Sequence, residues 1–273
     1  YTGSIKWRSV APLGWRLTHT TAKASYYNTR AERYDEFNEN NSRPINALLE
    51  KILKEHQITT VLDLTCGTGS QVFWLKEKGF EVVGSDISRS MLKIAKQKAK
   101  LKQLKIKFLQ GDCRTVHAGQ FDAAITIFNA IGHLTREDFK LTIQNINRNL
   151  NPGGLYIFDI FNLDYLKAGN NIKKLTGDWM ATSDGQKFRE IQFSTISDDG
   201  ILASYSTYVY QDVHSSPTKV SKGYENTLQV YGSDELQSLL KENGFVVLAQ
   251  TDINGEAFSK EASERILTVA KKV

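Results

Sequence analysis

The feature that most limits the fold of this chain is an alternation of helical and strand-like segments between residues 45 and 163. Apolar residues recur at helical spacing in 45–56, and a short apolar run at 60–64 follows, as expected of a buried strand. Residues 121–128 (FDAAITIF) form a largely apolar run, typical of a strand that is covered on both faces. Alternating elements with short connections predict a parallel sheet joined by right-handed crossovers.

The pattern changes after residue 164. Three segments have strand character without a helix between them: 187–194, 201–211 and 222–231. A helical segment at 233–242 and two strand-like segments, 245–250 and 265–269, complete the chain. The middle region is therefore interpreted as a small antiparallel sheet, and the last two strands as a hairpin.

We therefore predict an α/β fold with a doubly wound, mostly parallel seven-stranded sheet, a small antiparallel sheet inserted into it, and an N-terminal helical cap. The expected boundaries are 1–44 for the cap, 45–163 and 233–273 for the core, and 164–232 for the inserted sheet.

Composition limits the class of protein. The chain carries 35 Lys and Arg against 30 Asp and Glu, and 40% of its 273 residues are hydrophobic, which is typical of a folded protein. No uncharged apolar run reaches the ~18 residues that span a bilayer, and residues 1–20 lack the apolar block of a secretory signal. Cys66 and Cys113 have no metal-ligand spacing, so we expect no metal and a reduced, cytoplasmic protein.

The segment 61–70 (VLDLTCGTGS) leads from a buried strand through a turn with two glycines into a helix. Gly67 and Gly69 permit the tight turn and let a ligand approach the main chain closely. The N–H groups at the start of the helix favour an anionic ligand group. The third glycine of a dinucleotide fingerprint would fall at position 72, which is Val72, so a nicotinamide cofactor is disfavoured.

Acidic residues also end the next two strands. Asp86 follows an apolar strand at a position where a carboxylate can accept hydrogen bonds from a ribose diol. Asp112 could accept a hydrogen bond from the exocyclic amine of an adenine, and Cys113 could offer its main-chain N–H. Because open α/β sheets bind ligands at the carboxyl ends of their strands, these residues indicate one common site.

Together with FDAAITIFNAIGHL (121–134) and LNPGGLYIFDIFN (150–162), these stretches resemble the class I S-adenosylmethionine-dependent methyltransferases over residues 45–163. The resemblance implies S-adenosylmethionine as cofactor, with Gly67 and Gly69 receiving its methionine part, Asp86 its ribose, and Asp112 with Cys113 its adenine. It also assigns four further residues to the cofactor site: Asp63, Ile87, Met91 and Phe128.

Within that family the chain is most similar to the glycine and sarcosine N-methyltransferases. The segment 128–134 keeps the Asn, His and Leu spacing of their fourth strand end, which makes Asn129 and His133 the candidate catalytic residues. We expect Asn129 to hydrogen-bond the acceptor and His133 to orient it or take its proton. Phe161 replaces the arginine that grips the amino-acid carboxylate in those enzymes. Glycine is therefore a doubtful acceptor unless Arg43 or Arg189 supplies the missing positive charge. A less acidic amine, such as an amino sugar, becomes the more plausible acceptor.

The N-terminal segment 25–35 resembles the helix that many small-molecule methyltransferases fold over the cofactor. Tyr27 and Tyr34 would share one face of that helix and cover the sulfonium, with Arg43 near the cofactor's carboxylate. An amphipathic helix that packs its tyrosines on the domain is the alternative. Tyr208, Tyr210 and Arg189 are candidate residues of the substrate pocket.

These observations predict a methyltransferase that acts on a small-molecule acceptor, most of all an amine nitrogen, by in-line transfer. The alternatives are a hydroxyl or RNA-base acceptor, or a regulatory protein that binds the cofactor without catalysis. Seven lysines lie between residues 93 and 107, but a solvated helix face is favoured over an RNA or acidic-lipid surface. Nucleic acid and membrane partners are not expected, and a homodimer is left open.

Overall fold

The computed structural model describes residues 17–25, 31–168, 175–176, 180–181, 187–211 and 219–273. In chain order the strands are β1 (Thr60–Asp63), β2 (Glu81–Asp86), β3 (Lys107–Gln110), β4 (Phe121–Thr126), β5 (Leu150–Phe161), β6 (Leu175–Thr176), β7 (Met180–Ala181), β8 (Lys187–Ile196), β9 (Ile201–Gln211), β10 (Lys219–Gln229), β11 (Phe245–Thr251) and β12 (Arg265–Lys272). The helices are α1 (Ala31–Glu55), α2 (Ser70–Glu77), α3 (Arg89–Leu101), a 3₁₀ helix (Ala130–His133), α4 (Arg136–Asn149), α5 (Leu163–Ala168) and α6 (Ser233–Glu242).

Within these residues, seven strands form the main sheet in the order β11-β12-β5-β4-β1-β2-β3. Between β5 and β3 in this order, each strand runs parallel to its neighbours. β12 runs antiparallel to both β5 and β11. The predicted doubly wound, mostly parallel sheet and its closing hairpin are confirmed. The carboxyl ends of β1, β2, β3 and β4 consequently meet at one edge of the sheet.

The core lies on both faces of this sheet. Successive residues of β1 point to opposite faces, so that Val61 joins one buried cluster and Leu62 the other. Ala123 and Ala124 of β4 are divided between the two clusters in the same way, and both are fully buried. This two-sided burial is the physical reason why four of the six residues of β4 are apolar.

The predicted antiparallel sheet is present as a separate layer. Its described strands have the order β10-β9-β8-β6, and β7 also pairs with β8. Gly200, with φ 79°, ends the turn between β8 and β9. A small cluster formed by Leu166, Leu202 and Val230 packs with partly buried apolar residues, among them Phe161 at the end of β5.

The structure moves several predicted limits. α1 runs from Ala31 to Glu55 without a break at the expected boundary of 44 and 45, and the domain limits stay a prediction. β4 ends at Thr126 rather than at residue 128, because Phe128 and Asn129 adopt left-handed φ values of 63° and 62°. β5 begins at Leu150, not 155, and takes up its extra residues through a register shift opposite Phe121 and Ala123. None of the helices in the described ranges combines the length and the apolar character needed to cross a bilayer.

Candidate functional site

A cleft lies at the carboxyl edge of the main sheet, where β1, β2, β3 and β4 end. Eight of the residues singled out in the sequence line it: Gly67, Asp86, Ile87, Met91, Asp112, Cys113, Phe128 and His133. Its walls are otherwise largely apolar, with Leu64 after β1 and Ile127 after β4. The strand-end residues that are far apart in the chain are therefore brought together.

The turn between β1 and α2 needs its two glycines. Gly67 and Gly69 have φ values of 53° and 95°, a backbone region that side chains with a Cβ rarely adopt. A Cβ on Gly69 would also lie 2.6 Å from the ring of Phe73. The Cys66 N–H donates to the Ser85 carbonyl oxygen at 2.9 Å, which ties this turn to β2. The main chain of this turn is thus kept accessible to a ligand in the cleft.

Asp86 at the end of β2 accepts main-chain hydrogen bonds on both of its carboxylate oxygens. Its Oδ2 accepts from the Gly67 N–H at 2.8 Å and its Oδ1 from the Ser88 N–H at 2.7 Å. Burial raises the pKa of Asp86, while these N–H donors act in the opposite direction. Each oxygen keeps a further lone pair for a ligand that enters the cleft.

Asp63 at the end of β1 is 1% exposed. Its Oδ1 accepts from the Thr65 N–H at 3.2 Å, whereas its Oδ2 has no partner among the described residues. Burial raises the pKa of this carboxyl to about 8. An orphaned buried acceptor of this kind favours a cationic hydrogen-bond donor as its ligand.

The raised pKa of Asp63 makes the stability of the ligand-free protein depend on pH. Between the ordinary aspartate pKa of about 3.9 and the folded value of about 8, the folded chain holds a proton that the unfolded chain has released. We therefore expect the free energy of unfolding to fall as pH rises from 5 to 8. Urea unfolding across this range measures the slope, and Asp63→Asn should flatten it; an equal slope in both proteins would contradict the assignment.

Asp112 after β3 is bound by the side chain of Arg114. Nε of Arg114 donates to Asp112 Oδ1 at 2.9 Å and Nη2 to Oδ2 at 2.5 Å. These bonds lower the pKa of Asp112, so that the carboxylate stays ionised. The Cys113 side chain packs beside it, and burial raises the pKa of this thiol to about 11, which leaves it protonated and unreactive near neutral pH.

The loop after β4 is held by β5. The Phe128 N–H donates to Asp159 Oδ1 at 2.7 Å, and the Phe161 N–H donates to Asn129 Oδ1 at 2.8 Å. These bonds fix two consecutive left-handed residues that would otherwise be strained. Arg265 of β12 forms an ion pair with the fully buried Asp159, and its guanidinium carbon lies 5.5 Å from the ring centroid of Phe161.

The remaining predicted site residues lie elsewhere. Asn129 is 7% exposed and is not among the described residues that line the cleft. Arg43 is exposed on α1, and Arg189 and Tyr210 are half-buried on the second sheet, outside the cleft's described lining. Tyr27 and the side chains of Tyr34 and Tyr208 lie outside the described residues. Asp63 and Gly69 support the turn without lining the cleft.

Sequence reasoning missed part of the lining: Thr21, Ala22, Leu64, Thr65, Ile127, Ala130 and Leu134. It also assigned no role to Arg114, Asp138, Asp159 or Arg265, which hold the loops of the site. Arg114 could have been found, because it stands two residues after Asp112. Among the described residues, no cluster of three or more His, Cys, Asp or Glu side chains is arranged to hold a metal ion.

The sequence pattern of the methyltransferase domain family matches residues 61–154. The glycine/sarcosine N-methyltransferase of Parasynechococcus marenigrum (strain WH8102) is 34% identical over 125 residues, which are 44% of this chain and 44% of that enzyme. Several curated relatives are matched over less than half of their own length, between 41% and 49%. The matched range 61–154 contains every described residue of the cleft lining except Thr21 and Ala22.

Solved structures share the fold across nearly the whole chain. An S-adenosylmethionine-dependent methyltransferase from Clostridium acetobutylicum ATCC 824 superposes with a TM-score of 0.72 at 21% identity, over 90% of this chain and 99% of that one. CalS10, an amino pentose methyltransferase from Micromonospora echinaspora, has a TM-score of 0.64 at 17% identity, over 94% of this chain and 100% of its own. The strand order and these structures show that the chain has the fold of the class I S-adenosylmethionine-dependent methyltransferases, and its residues 61–154 match the methyltransferase domain family.

Proposed function

We propose that this protein transfers a methyl group from S-adenosylmethionine to the nitrogen of a small amine that carries no carboxylate. The observation on which the proposal rests is the cleft: the acidic strand ends Asp86 and Asp112 meet beside the glycine turn, and none of the described residues lining the cleft is a lysine or an arginine. The cofactor supplies an electrophilic methyl group on a sulfonium. The protein's task is then to hold the two reactants in line and exclude water.

The residues of the cleft suit the cofactor part by part. Asp86 has two lone pairs left for the ribose hydroxyls, and Asp112 is ionised and can accept from the adenine amine. Asp63 is buried next to the lining residue Leu64 and does not itself line the cleft; its partnerless Oδ2 is assigned to the α-ammonium of the methionine part on the side of the glycine turn. Ile87 and Met91 supply apolar contact for the purine ring.

His133 is the residue best placed to serve the acceptor. It lines the cleft at the end of the 3₁₀ helix, close in the chain to Phe128 and Ala130, which line it too. A neutral histidine there can accept a proton from an ammonium, and so keep the acceptor's lone pair available. Asn129 acts through the backbone in this proposal, because its Oδ1 holds the Phe161 N–H. It is a positioning residue for the loop that carries His133.

The charges around Phe161 argue against an amino-acid acceptor. Arg265 packs on the ring of Phe161, but its positive charge is balanced by the buried carboxylate of Asp159. A substrate carboxylate at this point would therefore meet an ion pair without net charge. The free-energy cost of removing that carboxylate from water would not be offset. CalS10 is named for an amino pentose, which supports an amine without a carboxylate, whereas the Parasynechococcus relative is named for glycine and sarcosine and supports N-methylation only.

An RNA-base acceptor receives less support. Four lysines line an open groove at the edge of the sheet, together with Leu104, Ile106 and Phe108. None of the described residues lines both this groove and the cleft, so the lysines of the groove do not flank the reaction site as an RNA enzyme would need. A protein that binds the cofactor without catalysis would have no use for His133 in the cleft wall.

Incubation with methyl-labelled S-adenosylmethionine tests the proposal. We expect label in primary or secondary amines such as amino sugars, and about tenfold less or none in glycine, sarcosine or RNA. The products are separated by chromatography and identified by mass spectrometry. Label in glycine at an equal rate would overturn the acceptor assignment, and no label in any acceptor would favour the regulatory alternative.

The variant His133→Gln tests the role of His133 in the same assay. Glutamine keeps a polar group of similar size but does not titrate near neutral pH. Because general-base catalysis contributes about 10²–10⁴-fold, we expect transfer to slow by at least about 100-fold while the Kd for S-adenosylhomocysteine stays within about twofold of that of the unmodified protein. An unchanged rate would remove His133 from the mechanism.

A further inference from the structure

Residues 17–25, hereafter the roof segment, attach to the cleft at three points. The ring of His19 bonds to the Leu134 carbonyl oxygen at 3.1 Å and to Thr227 Oγ1 of the second sheet at 2.9 Å. The Ala22 N–H donates to the His133 carbonyl oxygen at 2.9 Å. Thr21 and Ala22 line the same cleft as Asp112 and His133. The roof segment thus contributes Thr21 and Ala22 to the site and contacts the helix that carries His133.

The third attachment leads back to the adenine side of the cleft. The Thr135 N–H donates to Thr21 Oγ1 at 3.0 Å, and the same Thr21 hydroxyl donates to Asp138 Oδ2. Asp138 Oδ2 also lies 2.8 Å from Nη1 of Arg114. Arg114 in turn binds Asp112 through Nε and Nη2. The guanidinium of Arg114 therefore links Asp112, the carboxylate proposed to bind the adenine, to Asp138, which binds Thr21 of the roof segment.

We infer that Arg114, Asp138 and Thr21 are positioning residues that couple recognition of the adenine amine by Asp112 to closure of the roof segment over the cleft. The inference rests on the proposed function, since it takes the adenosyl group as the ligand of Asp112. The two carboxylates share a single cation, and the side chains of Asp112, Arg114 and Asp138 are 24%, 30% and 19% exposed. A change in the charge or position of one carboxylate is therefore felt by the other.

The direction of the coupling follows from this arrangement. Arg114 holds both oxygens of Asp112 in one orientation, so that a ligand amine meets a fixed acceptor. The guanidinium also keeps Asp138 in place to accept from Thr21. Without the Thr21 hydroxyl, Asp138 loses a donor and Arg114 is drawn toward it, away from Asp112. Loss of the roof bond should therefore weaken adenine recognition across two intervening side chains.

A double-mutant cycle between Thr21→Val and Asp112→Asn tests the coupling, with calorimetric Kd values for S-adenosylhomocysteine as the readout. We expect Thr21→Val to raise the Kd about fivefold or more when Asp112 is present, and by less than about twofold in the Asp112→Asn background. Thr21→Ser, which restores the hydroxyl, should return the Kd to within about twofold of the unmodified value. Thr18→Val, a change of the same kind at an exposed position of the roof segment, should leave it unchanged.

A second ligand separates positioning from a general loss of structure. In the inosine analogue of S-adenosylhomocysteine a carbonyl oxygen replaces the adenine amine, so that the exocyclic N–H donor to Asp112 is lost. Thr21→Val should weaken the adenosine compound more than the inosine analogue. Equal losses for both ligands, or additive effects in the cycle, would overturn the coupling. Failure of the unmodified protein to bind S-adenosylhomocysteine at all would instead reject the proposed function.

Discussion

Replacing Asp86 with alanine is expected to raise the Kd for S-adenosylhomocysteine at least about 100-fold. A hydrogen bond to a charged acceptor contributes about 1.5–3 kcal/mol, and a ribose diol forms two of them with one carboxylate, so about 3 kcal/mol or more is lost. The substitution also releases the Gly67 N–H, which Asp86 holds at 2.8 Å, and so loosens the glycine turn. Isothermal titration calorimetry measures the affinity directly.

Asp122→Ala is the matched control for this variant. Asp122 is the second residue of β4 and lies at the amino ends of the parallel strands, away from the cleft. Its Oδ2 accepts from the Thr60 N–H and hydroxyl, each at 2.9 Å. It therefore resembles Asp86 as a carboxylate that binds main chain at a strand end, but it is not part of the cleft's described lining. We expect Asp122→Ala to lower the free energy of unfolding and leave the Kd within about threefold of the unmodified value. If both variants bind equally well, Asp86 has no special part in cofactor binding.

The strand-end residues could be predicted because their positions depend on local pattern. A buried strand followed by Gly67 and Gly69 fixes where β1 ends, and the next two strands place Asp86 and Asp112 at the same edge. The parallel topology does the rest, since successive right-handed crossovers bring these ends together. The main sheet and its closing hairpin were predictable for the same reason: each element has its own period of apolar residues.

The contacts that hold the loops could not be predicted in this way. Arg265 and Asp159 are 106 positions apart in the chain, and Thr21 and Asp138 are 117 apart, so no local pattern joins them. The role expected for Asn129 illustrates the limit. Its spacing to His133 predicts an acceptor contact, which stays a prediction, and its side-chain Oδ1 accepts from the Phe161 N–H at 2.8 Å, a contact that the spacing does not indicate. A polar residue in a motif can serve the backbone, and only the fold around it distinguishes the two uses.

The position of Phe161 was informative in a different sense. From the sequence, Arg43 and Arg189 are the candidates to supply the positive charge that Phe161 lacks. In the structure a guanidinium does reach Phe161, but it belongs to Arg265, which β12 places opposite Phe161 in the antiparallel register. Because Asp159 neutralises it, the presence of an arginine at this point does not restore a carboxylate site. Under the proposed function, the pairing of Arg265 with Asp159 therefore argues against a carboxylate-bearing acceptor even though an arginine is present at this point.

Arg265→Met is expected to destabilise the protein by about 3–5 kcal/mol at pH 8, because it removes the partner of the fully buried Asp159 carboxylate. The loss should be smaller at pH 5. Arg265 opposes the effect of burial on the pKa of Asp159, so without it this pKa rises further and the group takes up a proton as the pH falls. Urea unfolding at both pH values measures the difference. Loosening of Asp159 should also release the Phe128 N–H and weaken S-adenosylhomocysteine binding.

The double variant Arg265→Met with Asp159→Asn separates charge from packing. Asparagine keeps an oxygen that accepts from Phe128 and removes the unpaired charge, while methionine retains apolar contact with the ring of Phe161. If the buried charge causes the loss, this variant recovers most of the stability at pH 8 and shows little dependence on pH between 5 and 8 from this site. A double variant as unstable as Arg265→Met would mean that the guanidinium acts through its packing between Phe128 and Phe161, whose ring centroids lie 5.9 and 5.5 Å from it.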